Sequence, residues 1–239
     1  MKRGPVVIIS GLIASGKSTL SRELSKALGP NTLLLNEPDE KEDVTGNVGN
    51  PYLASYYTDP KRFSFTMQVH LLAYRYRQHL QAQWHAMNTG NATVGDSSFY
   101  SDVSFARLQY KTGLLDEREY NTYQSLFQAM TASVLLPTVC VRVIVAPEIA
   151  QERMRKRMEI QTGRKCEDVI SLEYLKGLDR EIDYMVNVLR QSGVTVIDVD
   201  WNEDRGTEEL RASMVQSIAE RIKNINSPDP FTDLYRRTI

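Results

Sequence analysis

The sequence predicts an α/β protein with one five-stranded parallel sheet and helices on both faces. Three observations predict it. Five short stretches rich in β-branched and apolar residues (6–10, 32–36, 92–96, 139–145 and 194–199) have the length of buried strands. Longer helical stretches separate them, the alternation expected of parallel strands joined by crossover helices. Between the first strand and the first helix lies Gly11-Leu12-Ile13-Ala14-Ser15-Gly16-Lys17-Ser18, a G-x-x-x-x-G-K-S loop.

The elements follow in order. Val6-Val7-Ile8-Ile9 opens the sheet, and a helix over 17–28 stops at Gly29-Pro30. After the strand at 32–36, Asp59-Pro60 offers an N-cap followed by proline in the first turn, so 60–87 reads as a long helix. The strand at 92–96 leads to a helix over 102–111 that ends at Gly113. Acids at 116, 117 and 119 open a helix over 116–135 that Pro137 stops. Pro147-Glu148 opens a helix over 147–160, Ser171-Leu172-Glu173 one over 171–191, and Thr207-Glu208-Glu209 one over 207–226. Residues 1–226 read as a single domain, with a lid at about 158–169 and a C-terminal tail at 227–239.

Composition narrows the class. The chain has 239 residues, 41% hydrophobic and 25% charged, with a net charge of −1. No overall field draws it to nucleic acid or anionic lipid. No run approaches the roughly 18 apolar residues of a membrane span. Two cysteines, Cys140 and Cys166, form no disulfide framework and lack metal-ligand spacing. Met1-Lys2-Arg3-Gly4 leads straight into the first strand without a signal peptide, so a cytoplasmic location is the expectation.

The chemistry-bearing residues cluster at strand ends. Gly11, Ala14, Ser15, Gly16, Lys17, Ser18 and Thr19 would cradle the phosphates of ATP or another nucleoside triphosphate. Lys17 would reach the β- and γ-phosphates, and the Ser18 hydroxyl would ligate Mg²⁺. Glu37, after the second strand, is placed to take the proton of an attacking hydroxyl. Asp96, ending the third, is the expected partner of Ser18 in holding Mg²⁺. Gln68, Leu71 or Leu72, and Arg75 share one helix face, where a glutamine amide can pair with a nucleobase edge. Arg153 and Arg157 sit four apart on a helix, and Arg164 follows in a polar loop; such arginines can close over a phosphoryl group in transfer. Asn202, Glu203 and Asp204 follow the last strand, where a loop can wall the adenine of ATP.

The order of these pieces resembles the deoxynucleoside kinases, the deoxycytidine/deoxyguanosine/deoxyadenosine kinase group of phosphate-loop kinases, from about residue 6 to about 204. Glu37-Pro38 follows the second strand. Tyr57 precedes Pro60-Lys61-Arg62-Phe63-Ser64-Phe65-Thr66-Met67-Gln68. Then come Asp96-Ser97-Ser98-Phe99-Tyr100-Ser101-Asp102, Pro147-Glu148 with Arg153, Leu172-Glu173-Tyr174-Leu175 and Asp200-Trp201-Asn202-Glu203-Asp204. The resemblance implies Glu37 as base on the 5′-hydroxyl and Gln68 on the nucleobase, with Arg75 and Asp102 shaping the other edge. It implies Tyr57 and Glu167 on the 3′-hydroxyl, Leu71 narrowing the pocket, and a homodimer formed through the helices at 60–87 and 116–135. The Arg75 and Asp102 pair resembles the purine- and cytosine-accepting members.

One position departs from the family pattern. Ser97 stands where an arginine is expected, so another cation must supply that charge; Arg62, Arg107 and the lid are the candidates. The segment 39–50 is acidic and lacks a tryptophan that relatives carry near there. The main reading is phosphoryl transfer from ATP to a deoxynucleoside, a small-molecule acceptor, of purine or cytosine type. Ser97 motivates two alternatives. One is a kinase acting on a monophosphate or on a hydroxymethyl base in a nucleotide or DNA, the net charge arguing mildly against a nucleic acid. The other is a nucleotide-binding protein without catalysis.

Overall fold

The structure is a computed structural model and describes residues 3–37, 50–160, 167–203 and 208–225. Five strands, β1 (Val6–Ser10), β2 (Leu33–Leu35), β3 (Thr93–Gly95), β4 (Val139–Ile144) and β5 (Thr195–Asp200), form one parallel sheet in the order β2-β3-β1-β4-β5. Ile8 of β1 lies level with Gly95 of β3 and Cys140 of β4. β1 is buried along its whole length, as a central strand of four apolar residues should be, while β5 alternates like an edge. The chain builds β2 and β3 on one side of β1, then β4 and β5 on the other. That reversal opens a crevice at the carboxyl ends of the strands, just where the loop after β1 emerges.

Eight helices lie among the described residues: α1 (Lys17–Leu28), α2 (Leu53–Thr58), α3 (Pro60–Thr89), α4 (Asp102–Lys111), α5 (Glu117–Thr131), α6 (Pro147–Ile160), α7 (Leu172–Gln191) and α8 (Glu208–Lys223). α1 pairs with α8, while α3, α4, α5 and α7 form a second group linked by mutual contacts. One contiguous core joins them through Ile9, Leu20, Leu72, Phe99, Val141 and Ile182.

The caps behave as their chemistry requires. Asp59 accepts from the Arg62 amide at 3.2 Å with Pro60 at the first position of α3. Asp116 and Glu119 form a reciprocal capping box on α5. Ser171 accepts from the Tyr174 amide at the start of α7. α3 continues to Thr89, where Gly90 closes it in the left-handed conformation. It runs thirty residues, about 45 Å, with no glycine or proline after Pro60.

One sequence expectation changes and two features are new. α5 ends at Thr131 rather than 135: the Thr131 hydroxyl bonds back to the Phe127 carbonyl, and the chain turns inward to bury Val134 and Leu135 before β4. α2 was not expected, because six residues are too few to show a 3.6-residue period. Arg142, inside the apolar β4, is buried; it reaches Asp179 and Asp183 of α7 and fastens that helix to the sheet. The tail, most of the acidic segment and the centre of the lid lie outside the described residues.

Candidate active site

The loop after β1 has the backbone that its residues demand. Gly16 caps α1 at φ 94°, and Ala14 also takes a positive φ, of 59°. No side chain caps α1, so its first N–H groups are left for an anion. A Cβ on Gly11 would meet the Val143 carbonyl at 2.9 Å and Ser15 Oγ at 2.8 Å, so only glycine lets the loop lie this close to β4. Ser15 Oγ is buried without a hydrogen-bond partner, and the Thr19 amide donates to the Gly16 carbonyl. Lys17 Nζ donates to the Leu12 carbonyl at 2.8 Å, which curls the side chain over its own loop. Burial pulls its ammonium below the ordinary lysine value; Glu37 and Asp96 oppose that, while Arg75 and Arg157 add to it.

Two carboxylates stand opposite. The Asp96 amide donates to the Leu35 carbonyl at 2.9 Å, which brings the end of β3 beside the end of β2 and hence Asp96 near Glu37. Burial and the charge of Glu37 push the Asp96 carboxyl above its usual value, against the pull of the Ser18 hydroxyl, Lys17 and Arg22. Asp96 Oδ1 is buried with no hydrogen-bond partner. An orphaned carboxylate oxygen beside a serine hydroxyl fits a divalent cation. Among the described residues no three His, Cys, Asp or Glu side chains cluster as a metal cage. That is consistent with a cation held by few protein ligands and by phosphate oxygens.

The Glu37 side chain is 41% exposed, and what loss of water it suffers would raise its carboxyl. The Arg75 and Lys17 cations, with polar contacts from Ser97 and Arg75, outweigh it and hold the carboxyl below the usual range. The Ser97 hydroxyl lies beside the Glu37 carboxylate without meeting the geometry of a formed hydrogen bond. Of the three sources expected to stand in for the arginine absent at 97, Arg62 and Arg107 are engaged elsewhere, and the centre of the lid lies outside the described residues. Arg62 lies on its neighbour Phe63, 5.1 Å from the ring, at the start of α3. Arg107 is paired with Glu181 at 2.8 Å and stacked over Tyr184. The cation beside Glu37 is Arg75, whose Nη2 donates to Glu37 Oε1 while Nη1 donates to Asp102 Oδ1.

The wall formed by α3 brings together Gln68 and Arg75, expected to meet a base, with Asp102 of α4. Gln68 and Asp102 are fully buried, and Arg75 is 7% exposed. Both polar atoms of the Gln68 amide and Asp102 Oδ2 lack a hydrogen-bond partner. Leu72 belongs to the core, and Leu71 is half-buried. One residue was missed from the sequence. Tyr123 of α5 is 1% exposed, its hydroxyl has no partner, and it senses the charge of Arg75. Burial pushes its phenol upward, so it stays neutral. It sits among glutamines and asparagines in a polar helix, and only its helical spacing from Tyr120 and Phe127 signals an inward face.

The remaining residues surround the crevice. Tyr57 packs against the cluster of Met154, Ile170 and Leu175. Arg157 Nη2 pairs with Glu167 Oε2 at 2.5 Å. Arg153 Nη2 donates to the carbonyls of Trp201 and Asn202 at 2.8 and 3.1 Å, tying α6 to the loop after β5. Asn202 Oδ1 accepts from the Ala146 amide, and Glu203 is exposed. Arg164 and Asp204 lie outside the described residues. Trp201, at the start of the loop after β5, has its indole buried against the phosphate loop: a Cβ on Gly16 would lie 2.7 Å from Trp201 Nε1.

Comparison with known proteins agrees with this geometry. The family model "Deoxynucleoside kinase" matches residues 7–223. A deoxyadenosine kinase of Dictyostelium discoideum is 35% identical over 230 residues, covering 96% of this chain and 85% of that protein. A deoxyadenosine/deoxycytidine kinase of Bacillus subtilis (strain 168) is 30% identical over 178 residues, covering 72% of this chain and 76% of that protein. The solved structure of deoxyadenosine kinase from M. mycoides with bound dATP superposes with a TM-score of 0.71 at 25% identity, covering 90% of this chain and 99% of that one. With a phosphate loop, two facing carboxylates and an amide-lined pocket on one crevice, the chain belongs to the deoxynucleoside kinase family.

Proposed function

We propose that the chain moves the γ-phosphoryl group of ATP, or of another nucleoside triphosphate, to the 5′-hydroxyl of a purine deoxynucleoside, deoxyadenosine foremost. The observation that carries this reading is the Gln68 amide, fully buried with donor and acceptor both unpartnered beside the Arg75–Asp102 pair. A buried amide left unpaired costs about 1–3 kcal/mol, which a base offering one donor and one acceptor would recover. Adenine offers that pair at its amino group and the adjacent ring nitrogen. The printed names of the relatives, deoxyadenosine kinase among them, support the same acceptor.

Each residue then has a task. Glu37 takes the 5′-hydroxyl proton as the oxygen–phosphorus bond forms and the bond to the β-phosphate oxygen breaks. Lys17 and the loop amides hold the β- and γ-phosphates. Ser18 and Asp96 would hold Mg²⁺, which neutralises phosphate charge when bound. Arg153, Arg157 and Arg164 close over the phosphoryl group, Asn202, Glu203 and Asp204 wall the adenine, and Tyr57 and Glu167 receive the 3′-hydroxyl. The exposed Leu80, Trp84 and Met87 share one face of α3 and support a homodimer through that helix and α5. Residues 1–226 would act as one domain in the cytoplasm; no described helix is long and apolar enough to cross a membrane.

The test is turnover with ATP and a panel of deoxynucleosides, deoxynucleoside monophosphates and hydroxymethyl-containing DNA. Deoxyadenosine is expected to give the highest kcat/KM, and Glu37→Gln to lower it by about 10²-fold or more. No turnover of any deoxynucleoside while ATP still binds would overturn the proposal.

A further inference from the structure

Arg75 makes hydrogen bonds to both halves of the crevice. Its Nη1 holds Asp102 in the base pocket and its Nη2 holds Glu37 at the transfer site. We infer that Arg75 is a positioning residue that couples the base pocket to the proton acceptor, so that seating a nucleobase on Gln68 and Asp102 sets the orientation of Glu37. The inference rests on the function proposed above.

The geometry makes the link one of rigid parts. Arg75 lies seven residues beyond Gln68 on the same face of α3. Its side chain is 8% exposed and that of Asp102 is 0%, whereas that of Glu37 is 41% exposed. The buried guanidinium and Asp102 thus form the fixed end, and the half-open Glu37 the end that needs holding. A planar guanidinium serves two carboxylates from a rigid fork, whereas an ammonium is a point charge with rotatable donors and sets their geometry less closely.

The charges facing this point come from four elements. Lys17 approaches from the start of α1, Asp96 and Ser97 from the end of β3, Asp102 from α4, and Tyr123 from α5. Of these, only Lys17 and Arg75 bring positive charge to Glu37, and Lys17 is committed to the phosphate loop. A nucleobase seated against Arg75 and Asp102 therefore fixes the guanidinium and, through its Nη2, the placement of the Glu37 carboxylate. The Ser97 side chain lies beside the same carboxylate and offers a second place from which a guanidinium could be supplied.

The experiment uses the full chain with ¹³C-labelled glutamate, the Glu37 carboxyl signal being the one lost in Glu37→Gln. In the double variant Arg75→Met/Asp102→Asn, which leaves no unpaired buried charge, the Glu37 titration is expected to move upward. In Asp102→Asn alone it should stay close to wild type. With deoxyadenosine and ATP, kcat of the double variant should fall by about 10²-fold and its acidic pH limb move upward with the titration. Adding Ser97→Arg to that background should restore kcat at least about tenfold while KM and base preference stay impaired. Arg75→Lys, which keeps one charge, is the second variant should the double one fold poorly: kcat falls and KM changes by less than about threefold. An unmoved Glu37 titration in both Arg75 variants, or a loss confined to KM with no recovery on Ser97→Arg, would overturn the inference. Absence of wild-type turnover would sink the functional proposal instead, and the carboxyl titration would still decide whether Arg75 controls Glu37.

Discussion

Gly16→Ala places a methyl group between the phosphate loop and the loop after β5. Two costs are separable. At φ 94° an L-residue is strained, by about 1–2 kcal/mol for a left-handed conformation. The new Cβ would also lie 2.7 Å from Trp201 Nε1 and 3.1 Å from Cδ1, on a buried indole whose loop is held by Arg153. Overpacking of this kind costs about 1–3 kcal/mol. The sum, about 2–5 kcal/mol, is a large part of an ordinary domain stability of about 5–15 kcal/mol. Urea unfolding of wild type, Gly16→Ala, Trp201→Phe and the double variant forms a thermodynamic cycle. Shrinking the indole to a phenyl ring should remove the steric part and leave the backbone part. The expected coupling is about 1–3 kcal/mol, in the sense that the double variant loses less than the sum of the singles. A loss below about 0.5 kcal/mol for Gly16→Ala, or strict additivity across the cycle, would refute the packing of Trp201 on the phosphate loop.

Three further outcomes follow from the site. The Asp96 carboxyl sits above its ordinary value, so the folded state binds its proton more tightly than the unfolded state does. Its contribution is therefore favourable at low pH, and the ionised group is a standing cost near neutrality. Asp96→Asn should raise Tm by about 2–4 °C, roughly 1 kcal/mol, while lowering phosphoryl transfer by about 10²-fold; a lower Tm would contradict this. Glu37 has the opposite sign: its depressed value contributes stability above the ordinary carboxylate range, lost as pH falls through the folded value. Glu37→Gln should make stability vary less steeply with pH on the acid side, which urea titrations from about pH 3 to pH 7 can read. Tyr123→Phe removes a buried hydroxyl without a partner, so stability should hold or rise by about 1 kcal/mol; a fall of more than about 2 °C in Tm would show that the hydroxyl is satisfied.

The strands, the long helices and the phosphate loop were legible because each is written in consecutive residues. Gly16-Lys17-Ser18, Asp59-Pro60 and the acids opening α5 carry their own stereochemistry, and the structure returns them with matching caps. The contacts that tune the site were not legible, because they join residues far apart in sequence. Arg75 meets Glu37 across 38 positions, and nothing local to either distinguishes that pair from Arg107 or Arg62 as the cation near Ser97. Trp201 reaches the phosphate loop only because β5 is brought beside β4, which in turn flanks β1. Arg142 could have been suspected. Asp179 and Asp183 are four apart, so they share a helix face, and a lone arginine in an apolar strand requires such partners.

α3 carries Gln68, Leu71 and Arg75 on a single thirty-residue rod with no glycine or proline after Pro60. In the function proposed above, this rod is the wall against which the base seats, and it lacks the residues at which helices most often kink. A change of preferred nucleoside, whether in natural divergence or by design, has to be made by exchanging side chains at fixed heights along the rod, with Tyr123 and Asp102 adjusted from across the pocket. Discrimination in such a site resembles the cut of a key more than the grip of a hand: each position is altered separately, and the others keep their places.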